Sequence, residues 1–129
     1  MPAASSIKVM VADDQLTIRA LVRGGLQQLG FKDIDEAPDG EEALRQLIVK
    51  PVQLIISDYN MPKLDGLNLL RAVRSHEPIK KTAFIMLTGR ADKELVQKAV
   101  QYGVNNYLVK PFTITTLKEK IEAVFGPLT

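Results

Sequence analysis

The 129-residue sequence contains no cysteine, no tryptophan and a single histidine, His76. Without thiols there is no disulfide, no thiolate nucleophile and no cysteine metal site. One histidine cannot form a histidine cluster. Neither sign of charge is in excess: 17 Lys and Arg against 15 Asp and Glu give +2. That balance argues against nucleic acid or an anionic membrane as a partner. No apolar run approaches the roughly 20 residues of a membrane span. The first six residues lack the apolar core of a signal peptide. A cytoplasmic, soluble chain is the expectation. What is present is ordinary for a globular protein, 46% hydrophobic and 25% charged. The length bounds the chain to one domain, 1–129, with residues 1–6 expected as a flexible N-terminus, no linker and no output domain.

Along the chain, short β-rich runs alternate with amphipathic stretches. Ile7–Ala12 reads as a strand ending on Asp13 and Asp14. Ile18, Leu21, Val22, Leu26 and Leu29 mark one face of a helix, with Gly30 as its stop. Asp33–Ala37 is charged and weakly apolar, as edge strands are. Asp39 is placed to cap a second helix, with Glu42 completing a capping box and Ala43, Leu44, Leu47 and Ile48 facing inward. Val52–Asp58 is a continuous apolar strand that ends on a carboxylate. Leu67, Leu70 and Val73 define a third helix, ended by His76, Glu77 and Pro78. Ala83–Leu87 is a buried strand ending at Thr88, and Asp92–Tyr102 a helix stopped by Gly103. Asn105–Val109 is a strand ending at Lys110, and Ile114–Phe125 a last amphipathic helix. Five βα units imply right-handed crossovers and a parallel α/β sheet with helices on both faces. The strand order 2-1-3-4-5 is adopted from flavodoxin-like folds in general rather than derived from these residues.

In a parallel sheet the carboxyl ends of all strands share one edge, where ligands collect. Read in order, those ends supply Asp13 and Asp14, then Asp58, Thr88 and Lys110. Crowded carboxylates repel unless a cation or proton compensates. Oxygen ligands without histidine or cysteine favour a hard cation, most simply Mg²⁺. A metal, an ammonium and a hydroxyl around one carboxylate suit phosphoryl transfer onto Asp58. Each residue alone has a bland explanation: a turn former, a Thr-Gly turn, a solvated lysine. Their convergence from four strand ends does not. Asp35, Glu36, Asp39, Glu41 and Glu42 read as solvated or capping charges. Asp65 and Gly66 read as loop-shaping residues that begin the third helix, and His76 as an exposed surface residue.

Asp13-Asp14, Asp58, Met61-Pro62 with Asp65-Gly66, Thr88 and Lys110-Pro111-Phe112 together resemble the receiver domain of two-component response regulators, over about residues 7–125. More narrowly they resemble its stand-alone chemotaxis regulators. The resemblance implies that Asp58 is the phosphoacceptor, charged from a phosphohistidine on a CheA-like sensor histidine kinase. It implies Mg²⁺ held by Asp13, Asp14, Asp58 and the Asn60 backbone carbonyl. It further implies phosphoryl contacts from Thr88 and Lys110, a switch made of Thr88 and Tyr107, and a cis peptide before Pro111. Gly89 and Arg90 depart from the commonest pattern after the switch threonine and are expected to modulate phosphoryl lifetime.

On this reading the signal leaves through a protein partner: a flagellar motor switch protein or a phosphatase, with the chain itself a monomer. The candidate output face is Val96, Val100, Tyr107 and Lys118, framed by Lys93 and Lys120. The alternative of five core residues at Leu95, Val96, Ala99, Val100 and Tyr102 stands beside it. A phosphate sink or relay intermediate is an alternative to a motor effector. An aspartyl-phosphate phosphatase would want Asp-x-Asp-x-Thr after the first strand, which Asp13-Asp14-Gln15-Leu16-Thr17 does not match. A flavin carrier would want a hydroxyl- and glycine-rich loop there, and Asp13-Asp14 would repel its phosphate.

Overall fold

Strand β1 (Lys8–Ala12) lies second in a five-stranded parallel sheet of order β2-β1-β3-β4-β5. In the computed structural model, which describes residues 2–89 and 93–129, the other strands are β2 (Asp33–Ala37), β3 (Leu54–Asp58), β4 (Ala83–Thr88) and β5 (Asn106–Val109). The helices are α1 (Leu16–Gln28), α2 (Gly40–Val49), α3 (Gly66–Ser75), α4 (Lys93–Gln101) and α5 (Ile114–Phe125). Short 3-10 turns occupy Ala4–Ser6 and Glu77–Ile79.

The sheet divides the core into two layers, because successive strand residues point to opposite faces. Val9, Val11, Leu54, Ile56, Ile85 and Leu87 pack with Val22 and Leu26 of α1 and Leu117 and Ile121 of α5. Met10, Ile55, Phe84 and Met86 pack with Leu47 of α2, Leu69, Leu70 and Val73 of α3 and Ala99 of α4. Both faces of β3 and β4 are covered, which is why all their residues are buried and why their sequence is apolar up to the polar residues at their carboxyl ends. Strand β2 lies at the edge, as its composition suggests. Its acidic side chains are not free, however. Lys50 pairs with Asp33 and Asp35, and Arg19 and Arg23 pair with Glu36.

Several local expectations are corrected. Leu21 is 59% exposed and Ile48 50%, since α1 and α2 each bury a narrower stripe than their apolar content suggests. Leu21 lines an apolar cleft of about 530 Å³ between α1 and the segment Lys110–Ile114. Asp39 does cap α2, accepting the Glu42 amide at 2.7 Å. Glu42 does not close the reciprocal bond, because its carboxylate is held by Arg45 and Gln46. His76 is half-buried rather than exposed, at the C-cap of α3. At the N-terminus, Ala4–Ser6 form a 3-10 turn with Ala4 buried and its amide donating to the Thr129 carbonyl. Gly30 and Gly103 end their helices at φ +99 and +90, as glycine permits. Asp92, the expected first residue of the fourth helix, lies outside the described residues. No helix among the described residues is long and apolar enough to cross a membrane.

Candidate functional site

Register brings the strand ends together. Ala12 pairs with Ser57, so Asp13 and Asp58 follow side by side. Asp58 pairs with Leu87, and Thr88 pairs with Val109, so Thr88 and Lys110 emerge next along the same edge. Asp13 is fully buried, and Asp58 and Thr88 are 6% and 5% exposed. Asp14, on the turn, is exposed.

The Lys110 ammonium lies 3.1 Å from Asp58 Oδ1 and 3.3 Å from Asp13 Oδ2. The Lys110 amide donates to the Thr88 carbonyl at 2.7 Å, and the Lys110–Pro111 peptide is cis. Asp13, Asp14 and Asp58 each offer a carboxylate oxygen within 4.8 Å of the others. Among the described residues, three carboxylates face one ammonium, so this cluster is short of positive charge. Burial, then the neighbouring Asp13 charge, pushes the Asp58 carboxyl above its ordinary range; Lys110 and the Tyr59 amide pull it back. An all-oxygen donor set with unbalanced negative charge fits a hard divalent cation. Asn60 is exposed beside this cluster and lines a polar cleft of about 640 Å³ with Tyr59, Thr88, Gly89, Glu94 and Lys98. Gly89 is thus at the site's margin, with nothing within 4 Å of a Cβ built on it. Arg90 lies outside the described residues.

The loop after β3 is held from below. Asp65 caps α3 by accepting the Asn68 amide at 2.8 Å. The Gly66 amide donates to the Tyr59 carbonyl at 2.8 Å. A Cβ at Gly66 would stand 2.2 Å from the Asp58 carbonyl oxygen. Gly66 therefore does more than begin a helix, because only a hydrogen fits where α3 meets the phosphoacceptor candidate's own backbone.

Away from the edge, Val100 is 63% exposed, Val96 half-buried and Lys118 exposed, while Ala99 alone among the apolar residues of α4 is buried. The five-residue core alternative for this helix is therefore excluded. Tyr107 is half-buried against the α3–α4 layer, with the Lys120 ammonium 4.8 Å from its ring centroid. Sequence reasoning did not find Arg19, which donates to the Asp13 carbonyl at 2.7 Å. It did not find Arg74 either, whose guanidinium donates to the carbonyls of Lys80, Thr82 and Gly103 and to Asn105 Oδ1. Nothing local in the sequence signals either contact, since each joins segments whose proximity only the fold creates.

The response regulator receiver domain model matches residues 9–122. A Rhizobium etli protein described as a probable chemotaxis protein CheY is 52% identical over 128 residues, 99% of each chain. Chemotaxis protein CheY-3 of Vibrio cholerae is 40% identical over 123 residues, 95% of each chain. Among solved structures, the chemotaxis response regulator CheY4 of Vibrio cholerae superposes with a TM-score of 0.85 at 35% identity. That match covers 96% of this chain and 99% of the other.

Proposed function

The chain belongs to the response regulator receiver domain family, and on that premise we propose that Asp58 is its phosphoacceptor in a chemotaxis phosphorelay. The observation that supports this most is the ammonium of Lys110 set between two buried carboxylates beside a third. In the reaction, an Asp58 carboxylate oxygen attacks the phosphorus of a phosphohistidine on a sensor histidine kinase. The O–P bond forms as the N–P bond breaks, and the imidazole nitrogen leaves with the electron pair. The carboxylate carries no proton to remove, so positioning and charge stabilisation do the work. Lys110 donates to the phosphoryl oxygens, and Thr88 offers a hydroxyl from the next strand end.

Asp13, Asp14, Asp58 and the Asn60 carbonyl are the groups we assign to Mg²⁺. When bound, that ion neutralises charge developing on the transferred group. Hydrolysis of the acyl phosphate, tuned by Gly89 and Arg90, resets the protein. The chain is a switch and not a turnover enzyme.

Phosphorylation shifts Thr88 and Tyr107 together and changes the face formed by Val96, Val100, Tyr107 and Lys118. In this reading the donor is a CheA-like kinase and the listener a flagellar motor switch protein, with the chain acting as a cytoplasmic monomer; the chemotaxis descriptions of the relatives support the choice of pathway. To test the core of this, the chain and its Asp58→Asn variant are incubated with acetyl phosphate, with and without Mg²⁺. Intact mass spectrometry should show one phosphoryl adduct on the wild type with Mg²⁺ only. An adduct of equal yield on Asp58→Asn would overturn the assignment.

A further inference from the structure

Of the five strands, β2 delivers no side chain to the site, yet Glu36 near its end is connected to the site through Arg19. Arg19 lies in the first turn of α1, and its side chain is only 15% exposed. Its Nη1 donates to the Asp13 backbone carbonyl at 2.7 Å, and its Nε to Glu36 Oε1 at 3.3 Å. The other Glu36 oxygen accepts from Arg23 Nη1 at 2.9 Å, and Arg23 also donates to the Ile34 carbonyl at 3.1 Å. The guanidinium of Arg19 therefore bridges the Asp13–Gln15 turn and the edge strand, while Arg23 fixes the far side of the bridge.

The turn needs such an anchor. Asp13 Oδ1 accepts the Gln15 amide at 2.9 Å, its Oδ2 meets Lys110, and its amide donates to the Ala37 carbonyl at 3.1 Å. Those contacts set the carboxylate and the start of the turn. The carbonyl that leads into Asp14 is set by Arg19. Without an ion, the carboxylates of Asp13, Asp14 and Asp58 repel, and an unanchored turn relieves that repulsion by opening. An opened turn must be re-ordered each time a cation binds, which lowers affinity.

We propose that Arg19 is a positioning residue for the divalent cation, holding the Asp13–Gln15 turn closed, and that Glu36 keeps Arg19 both aimed and charge-neutralised. This rests on the reading of Asp13, Asp14 and Asp58 as a Mg²⁺ site. Lysine cannot substitute, because a single ammonium does not reproduce the planar fork that reaches a carbonyl and a carboxylate at once. Glu36 also matters through charge. Unpaired, the guanidinium would be drawn towards the same carboxylates as the ion and compete with it.

The test is calorimetric titration of Mg²⁺ into the full chain and into Arg19→Ala, Arg19→Lys, Glu36→Gln and Asp13→Asn, each first assayed for thermal unfolding in chelator. Arg19→Ala and Arg19→Lys should weaken Mg²⁺ binding by roughly 10-fold or more, the usual effect of losing a group that orients a ligand. Glu36→Gln should weaken it less, and adding it to Arg19→Ala should change nothing further. If Arg19→Ala does not fold, Arg19→Lys and Glu36→Gln decide the matter. Wild-type affinity in those variants, with binding lost in Asp13→Asn, would overturn the positioning role alone. No Mg²⁺ binding by the wild type, or undiminished binding by Asp13→Asn, would overturn the metal reading itself and this inference with it.

Discussion

Replacing Asp58 by asparagine should stabilise the metal-free protein. At an effective dielectric of about 20, the Lys110 ammonium at 3.1 Å attracts the Asp58 carboxylate by roughly 5 kcal/mol. By the same estimate, Asp13 within 4.8 Å repels it by roughly 3.5 kcal/mol or more. Asp14 is exposed, so its repulsion is screened to about 1 kcal/mol. These contributions nearly cancel. What remains is the cost of burying a carboxylate that is 6% exposed, several kcal/mol for a charge without full compensation. Asparagine keeps the shape and removes most of that cost. A gain of roughly 2 kcal/mol is expected at neutral pH, or some 5–10 °C in Tm for a chain of this size.

The pH dependence follows from the raised Asp58 pKa. The unfolded chain gives up its proton near the ordinary 3.8, and the folded chain only above that. The wild type therefore loses stability as pH rises from about 3.8 through the raised folded value. Asp58→Asn lacks that loss. The gap between the two should be small in acid and widen as pH rises through the raised folded value. Mg²⁺ should narrow it by stabilising the wild type more than the variant, which has lost one of the carboxylates assigned to the ion. Denaturant unfolding in chelator across this pH range measures all three effects. An Asp58→Asn variant no more stable than wild type at pH 7, or a gap that ignores pH, would refute the electrostatic account.

Three further outcomes test the frame around the site. Gly66→Ala should destabilise by about 3 kcal/mol or more, because the new methyl meets the Asp58 carbonyl oxygen at 2.2 Å and backbone cannot rotate away. Gly24→Ala in α1, with nothing within 4 Å, should instead stabilise by up to about 1 kcal/mol; chemical denaturation compares the pair. Lys120→Met should shift the Tyr107 rotamer ratio roughly 2- to 5-fold by removing a cation from the ring face, while Lys120→Arg preserves it. Side-chain couplings of Tyr107 in NMR spectra report the ratio, and an unchanged ratio in Lys120→Met would show that the cation does not hold the ring.

The alternation of strands and helices was legible because fully covered parallel strands are apolar along their length, and β3 and β4 are until their carboxyl ends. Those same strands end on Asp58 and Thr88, so the site could be read as a set of strand ends. Helix faces were less legible. Leu21 and Ile48 share the apolar character of Val22 and Leu47, and only the packing geometry decides which are buried. Glu36 looked like a solvated charge because its partners, Arg19 and Arg23, are 17 and 13 residues away along the chain. Gly66 looked like a turn residue because the backbone of Asp58, which forbids it a side chain, reaches it only through the tertiary fold.

The central claim concerns one carboxylate, and chemical trapping tests it most directly. After exposure to acetyl phosphate and Mg²⁺, borohydride reduces an aspartyl phosphate to homoserine, leaving a permanent mark that peptide mass mapping locates. The account predicts homoserine at position 58 and nowhere else. Homoserine at position 13 or 14, or none at all under conditions that produce the phosphoryl adduct, would contradict it.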